Sequence, residues 1–178
     1  MITDSLANTY LQNKPYLVVN AISGNSHAII NKPNKFIYLY AGGLHLKYNS
    51  LVLVKAFSSL CYKDIELHLY GNGDAVESII EFAKNDKRII YGGVIPNSEV
   101  LMHLREASIL VNPRPTTLWD TSFTFPSKLI EYLESGTTTV TTRLAGIPSE
   151  YLEHFLFFED STIESIREKK HQRTHDVD

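Results

Sequence analysis

The chain holds a single cysteine, Cys61, in 178 residues. That scarcity excludes an internal disulfide and any zinc site built from several cysteines. Cys61 follows Phe57 and Leu60 in an apolar pattern, which predicts a buried thiol. No apolar run approaches transmembrane length, and the N-terminus lacks the basic and then apolar pattern of a secretion signal. A cytoplasmic location is the default expectation. Charge of one sign is missing too: 17 Lys and Arg face 20 Asp and Glu, a net charge of −3. Bulk attraction to nucleic acid or to anionic membrane is therefore not expected, and any bound anion must be held by a local device. Lys84, Lys87 and Arg88 make one small basic cluster, too short for a nucleic-acid stripe. No GxGxxG follows the first strand, and neither GxxxxGK[ST] nor GxSxG occurs. Asp64 and Asp74 lie at element edges without the Thr and Lys partners of a phospho-receiver. His171 and His175 have the i,i+4 spacing of a metal pair, but no third ligand is in view, so no metal site is expected.

What is present is a regular alternation. Hydrophobic content of 43% and charged content of 21% suit one soluble domain with a sizeable core. From residue 36 onward, apolar runs alternate with segments of helical spacing. The runs are 36–41, 65–70, 88–91, 108–112, 138–141 and 155–158; the helical segments include 50–61, 74–84 and 97–106. Six alternations with short connections predict an α/β protein, a Rossmann-like, doubly wound parallel sheet of about six strands. In such sheets ligands bind beyond the carboxyl ends of the strands. Gly42-Gly43, Gly71 with Gly73, and Gly92-Gly93 fall at those ends. Each is explained by a tight turn alone, yet three at equivalent ends suggest a crevice where backbone approaches a ligand. Residues 113–125 form the one long loop, which holds the only Trp and is functional by expectation.

That loop leads into Phe125-Pro126-Ser127-Lys128-Leu129-Ile130-Glu131, closed by Ser135-Gly136. Pro126 and Ser127 suit a helix start. Helical periodicity puts Ser127, Lys128, Glu131 and Ser135 on one face and Leu129, Ile130 and Leu133 on the other. A helix N-terminus presents free N–H groups and a positive dipole end to an anion. Lys128 adds a full charge. Glu131 lies roughly 5 Å along the axis, where its carboxylate can accept two hydrogen bonds from a vicinal diol. A diphosphate followed by a ribose has this pattern. On its own the segment reads first as an ordinary solvated helix.

Further segments complete a family pattern: Tyr40-Ala41-Gly42-Gly43-Leu44, Lys47-Tyr48, Leu69-Tyr70-Gly71-Asn72-Gly73, Gly92-Gly93-Val94-Ile95-Pro96 and Val111-Asn112-Pro113-Arg114. With the Phe-Pro-Ser-Lys helix, these make residues 36–160 resemble the C-terminal, donor-binding domain of family 4 glycosyltransferases of the GT-B fold. Bacterial members that build capsule, lipopolysaccharide or exopolysaccharide are the most similar. The resemblance implies a retaining transferase that moves a sugar from a nucleoside diphosphate, a uridine-based one by expectation, to a growing cell-surface polysaccharide or lipid-linked acceptor. It implies no cofactor and no metal. Glu131 matches the second Glu of the family's pair, which holds the ribose. Phe125, Pro126, Ser127 and Lys128 match the diphosphate end of the helix, and Lys47 a phosphate-contacting basic residue. Val94 and Ile95 match the segment on the base. The first Glu of the pair falls on Phe123, which cannot hydrogen-bond sugar hydroxyls; Asp120 or loop backbone is the substitute to consider.

The resemblance divides the chain into 1–35, the remnant of a preceding domain and a linker; 36–165, the nucleotide-sugar-binding domain; and 166–178, a charged tail. Most acceptor contacts then belong to an N-terminal acceptor-binding domain, on the same or a separate chain. The isolated chain is expected to bind nucleotide with negligible transfer. The full enzyme is expected in the cytoplasm, peripherally at the inner face of the membrane through its acceptor. Two other readings stand beside this one. The chain is a non-catalytic or split binding module, or it is an unrelated doubly wound nucleotide-binding domain.

Overall fold

The computed structural model describes residues 35–118, 125–160, 162 and 165. The expected domain remnant before Lys35, the tail with His171 and His175, and the loop residues Trp119, Asp120 and Phe123 lie outside the described residues.

Among the described residues, ten strands and α-helices follow one another. They are β1 (Phe36–Ala41), α1 (Ser50–Ser58), β2 (Ile65–Tyr70), α2 (Val76–Asn85), β3 (Ile89–Gly93), α3 (Asn97–Glu106), β4 (Ile109–Asn112), α4 (Ser127–Ser135), β5 (Thr139–Thr142) and β6 (Phe155–Phe158). Short 3-10 turns occupy Leu46–Tyr48 and Ser149–His154. The strands form one sheet in the order β3-β2-β1-β4-β5-β6, with every pairing parallel. The doubly wound α/β fold expected from the alternation is the fold found. The strand order reverses between β1 and β4, and such a reversal opens a crevice at the carboxyl ends of the strands.

Period-two alternation assigns each strand residue to one of two cores. Tyr40, Leu67, Leu69 and Ile89 face α1 and α2, where they meet Leu53, Val54, Phe57 and Ile79. Ile37, Leu39, Ala41, Tyr70 and Leu110 face α3 and α4, where they meet Leu104, Leu129 and Tyr132. Both faces of the sheet are therefore covered, which explains the near-continuous apolar runs.

Two local expectations change. The helix expected to reach residue 61 ends at Ser58, because the Ser58 and Ser59 hydroxyls bond the carbonyls of Val54 and Ala56. Cys61 then lies beyond the helix and is exposed, not buried as its spacing suggested. In α4, Leu129 and Tyr132 are the fully buried positions, while Ile130 and Leu133 are only partly covered. The buried stripe is thus rotated from the Leu129, Ile130 and Leu133 face expected from periodicity, and it carries a tyrosine.

Candidate functional site

A cavity of about 450 Å³ opens at the carboxyl ends of β1, β2 and β3. Its walls come from Ala41, Gly42 and Gly43 after β1, from Tyr70, Gly71 and Asn72 after β2, and from Val94 and Ile95 after β3. Asn97 and Val100 of α3 and Ser127, Lys128 and Glu131 of α4 complete it. Of the residues singled out from sequence, Gly42, Gly43, Gly71, Val94, Ile95, Ser127, Lys128 and Glu131 meet in this one space.

The turns are pinned before any side chain acts. Gly42 N–H donates to the Tyr70 carbonyl at 2.9 Å, and Gly71 N–H to the Gly93 carbonyl at 2.7 Å. Gly71 has φ +129°, and a Cβ there would lie 1.9 Å from the Gly42 carbonyl oxygen. Only glycine fits this crossing of two strand ends. Leu44 N–H donates to the Asn72 carbonyl and Leu46 N–H to the Asp74 carboxylate, so the loop after β1 rests on the loop after β2. That bond holds the Asp74 carboxyl below its usual range.

Lys128 is the charged centre. Its Nζ sits 3.8 Å from the centroid of the buried Tyr40 ring, a cation–π seat. The Tyr40 hydroxyl donates onward to the Gly43 carbonyl at 2.8 Å. Gly42 leaves room for the ammonium, since a Cβ there would come within 2.7 Å of Nζ. Burial, and then the nearby Arg114 charge, push the Lys128 amine down to about 7; Glu131 opposes that shift. No side chain caps α4, and its first turn holds no acidic residue. The free N–H groups and dipole end therefore reinforce Lys128.

The remaining predicted residues sit elsewhere. Phe125 and Pro126 are buried, with the Phe125 ring 5.4 Å from Tyr151, so they anchor the start of α4 rather than line the cavity. Gly73 packs against the Leu44 backbone. Lys47 is exposed, outside the wall, with Nζ 5.0 Å from the Tyr48 centroid. The Arg114 guanidinium lies over the same ring at 4.6 Å, and Thr142 Oγ1 donates to the Arg114 carbonyl. Among the described residues no group of three His, Cys, Asp or Glu could hold a metal ion, and no helix is long and apolar enough to cross a membrane.

Sequence reasoning gave no role to Tyr70, Asn97 or Arg114. Tyr70 was legible as the last strand residue before a glycine turn. Its ring stacks on His103 at 4.9 Å and fills the space over Gly92, where a Cβ would lie 2.2 Å from the ring.

The arrangement suits an anion flanked by a hydrogen-bond acceptor, in a space with one apolar wall. Known proteins share its frame. A mutant of S. aureus TarM, solved with fondaparinux, α-GlcNAc-glycerol and UDP, superposes on 96% of this chain and 35% of its own, with TM-score 0.65 and 16% identity. The apo lipopolysaccharide outer core galactosyltransferase WaaB superposes on 99% of this chain and 52% of its own, with TM-score 0.71 and 13% identity. HepE of Anabaena, solved with UDP and glucose, covers 80% of this chain and 40% of its own, with TM-score 0.63 and 14% identity. The chain thus spans about a third to a half of the length of these structures, and at such identities the likeness is one of fold. No curated protein matches the chain. The sequence pattern is the more specific finding: the family model described as glycosyl transferases group 1 matches residues 35–169, a span that takes in every described residue. This chain, with its open parallel sheet and its cavity at the strand ends, belongs to the glycosyl transferases group 1 family.

Proposed function

We propose that this domain holds the nucleoside-diphosphate sugar donor, a uridine-based one, of a retaining family 4 glycosyltransferase. The full enzyme would extend a cell-surface polysaccharide or a lipid-linked acceptor. One observation carries the reading: Ser127, Lys128 and Glu131, within the first two turns of α4, line one cavity with the glycine turns of β1 and β2. Its volume of about 450 Å³ suits a nucleotide-sized ligand.

The roles divide by chemistry. Lys128 and the α4 N-terminus stabilise the charge that develops on the departing diphosphate. Glu131 accepts hydrogen bonds from the ribose diol. Val94 and Ile95, with the Tyr70 ring, offer an apolar wall to the base. Lys47 adds long-range attraction from the loop rather than a direct contact. Because protein cations supply the charge, the reading includes no metal. Transfer itself is assigned to the complete cleft, with an acceptor-binding domain on the same or a separate chain, working in the cytoplasm at the membrane face.

Calorimetry with UDP and GDP tests this. The wild-type chain binds UDP more tightly than GDP, and equally in magnesium or in EDTA. Glu131→Ala weakens UDP about tenfold, the loss of a charge-assisted hydrogen-bond pair. Equal binding by wild type and Glu131→Ala removes Glu131 from the ribose site. No binding of either nucleotide removes the donor reading altogether.

A further inference from the structure

We propose that Tyr132 is a positioning residue: its hydroxyl fastens the glycine turn after β1 to the helix that carries Lys128 and Glu131, and so sets the width of the anion cradle. The inference rests on the donor-binding reading above and assigns to a residue outside the cavity wall the control of that wall.

Tyr132 is fully buried, packed in the same core as Leu110, Leu129 and Ala41. A phenylalanine would serve that packing, and a buried hydroxyl is costly unless it is paired. It is paired in one place only among its described bonds. Ala41 N–H donates to the Tyr132 oxygen at 3.0 Å, and the hydroxyl lies 3.4 Å from the Ala41 carbonyl oxygen, so both polar groups of one residue are engaged.

That residue is where the strand needs a partner. The β1–β4 pairing runs from Tyr38 to Leu39 and stops. Ile37 on the same side is served by Ser108, and Gly42 N–H turns the other way, to Tyr70 on β2. Ala41 N–H therefore points past the end of the ladder, into the core, and the Tyr132 hydroxyl takes the place of a neighbouring strand. The next residue is Gly42, against which Lys128 Nζ is seated. Gly71 presses on Gly42 from behind. The turn is thus held from β2 by backbone contact and from α4 by one hydroxyl. Since Tyr132 follows Glu131 directly and lies one turn after Lys128, the hydrogen bond couples the two walls of the cavity to each other.

Tyr132→Phe in the full chain isolates the hydroxyl. The measurements are UDP affinity by calorimetry and amide hydrogen exchange across residues 41–43. Ile79→Val, in the core on the opposite sheet face, controls for a general loss of stability. The expected result is UDP binding weakened about tenfold in Tyr132→Phe, with faster exchange at Ala41, Gly42 and Gly43. Ile79→Val, compared at matched distance below its own melting temperature, changes neither. Binding by Tyr132→Phe within twofold of wild type overturns the proposal, as does an equal weakening in Ile79→Val. If wild-type chain fails to bind UDP, the donor reading falls, and exchange alone decides the fastening: unchanged protection at residues 41–43 in Tyr132→Phe overturns it.

Discussion

In the donor-binding reading Lys128 meets an anion, yet it sits in a place that disfavours its own charge. Burial and Arg114 bring its amine down to about 7, so near neutral pH a substantial fraction is uncharged. A bound diphosphate favours the protonated form, and by linkage a proton is taken up on binding. The sign follows: affinity is highest below about pH 7 and falls as pH rises through it. A UDP-sugar is the right probe, because its diphosphate is a diester with no ionisation in this range. Its affinity should weaken several-fold between pH 6 and pH 8.5, and Lys128→Arg, whose guanidinium stays charged, should flatten the profile. A flat wild-type profile would mean that Lys128 does not meet the ligand. The same shift acts on folding with the opposite slope. Because the unfolded amine titrates near its ordinary value, about 10.4, the unfolded chain binds more protons above pH 7, and stability to urea should rise from pH 7 to pH 9.

Among the elements, the β2–α2 turn is the one with least freedom. Gly71 has φ +129° and a Cβ there would overlap the Gly42 carbonyl, whereas Gly136, the left-handed C-cap of α4 at φ +71°, faces open space. Gly71→Ala should therefore cost roughly 3 kcal/mol or more, from backbone strain plus a clash that only movement of the cavity wall relieves. Gly136→Ala should cost about 1 kcal/mol, the left-handed penalty alone. Urea denaturation of the two variants checks the contrast, and equal costs would show that the Gly42–Gly71 crossing yields easily. This difference marks what the sequence could and could not say. Both glycines were visible as turn residues, and their places after a strand and after a helix were readable from periodicity. That Gly71 meets Gly42 depends on β1 pairing with β2, a long-range fact no local pattern contains. Strand alternation made the fold legible, and the Pro-Ser start with Lys128 and Glu131 made one wall of the site legible. Cys61 was misplaced because two serine hydroxyls ended α1 early. Tyr132 was overlooked because a tyrosine within an apolar stripe looks like packing, and its partner is a strand 91 residues away in sequence.

At the scale of the whole molecule, the sheet is the shared wall of two cores, and the cavity lies where its strand order turns. Side chains from β1 enter both cores: Tyr40 packs with α1 and α2, and Ala41 with α3 and α4. The residues that support the cavity are drawn from both sides as well. Tyr40 seats Lys128 from one core while Tyr132 fastens α4 in the other. Ligand binding should accordingly stabilise the two layers together rather than order one loop. At 100 times its dissociation constant UDP adds about 2.7 kcal/mol to the folded state. For a chain of this size that corresponds to a rise in Tm of roughly 5–10 °C. The expected thermogram is one transition that moves upward as a unit with UDP, with calorimetric and van't Hoff enthalpies in agreement. Two transitions, of which UDP moves only one, would instead show that the α1–α2 and α3–α4 layers unfold separately. The cavity would then report on a single layer, and β1 would not couple its two walls.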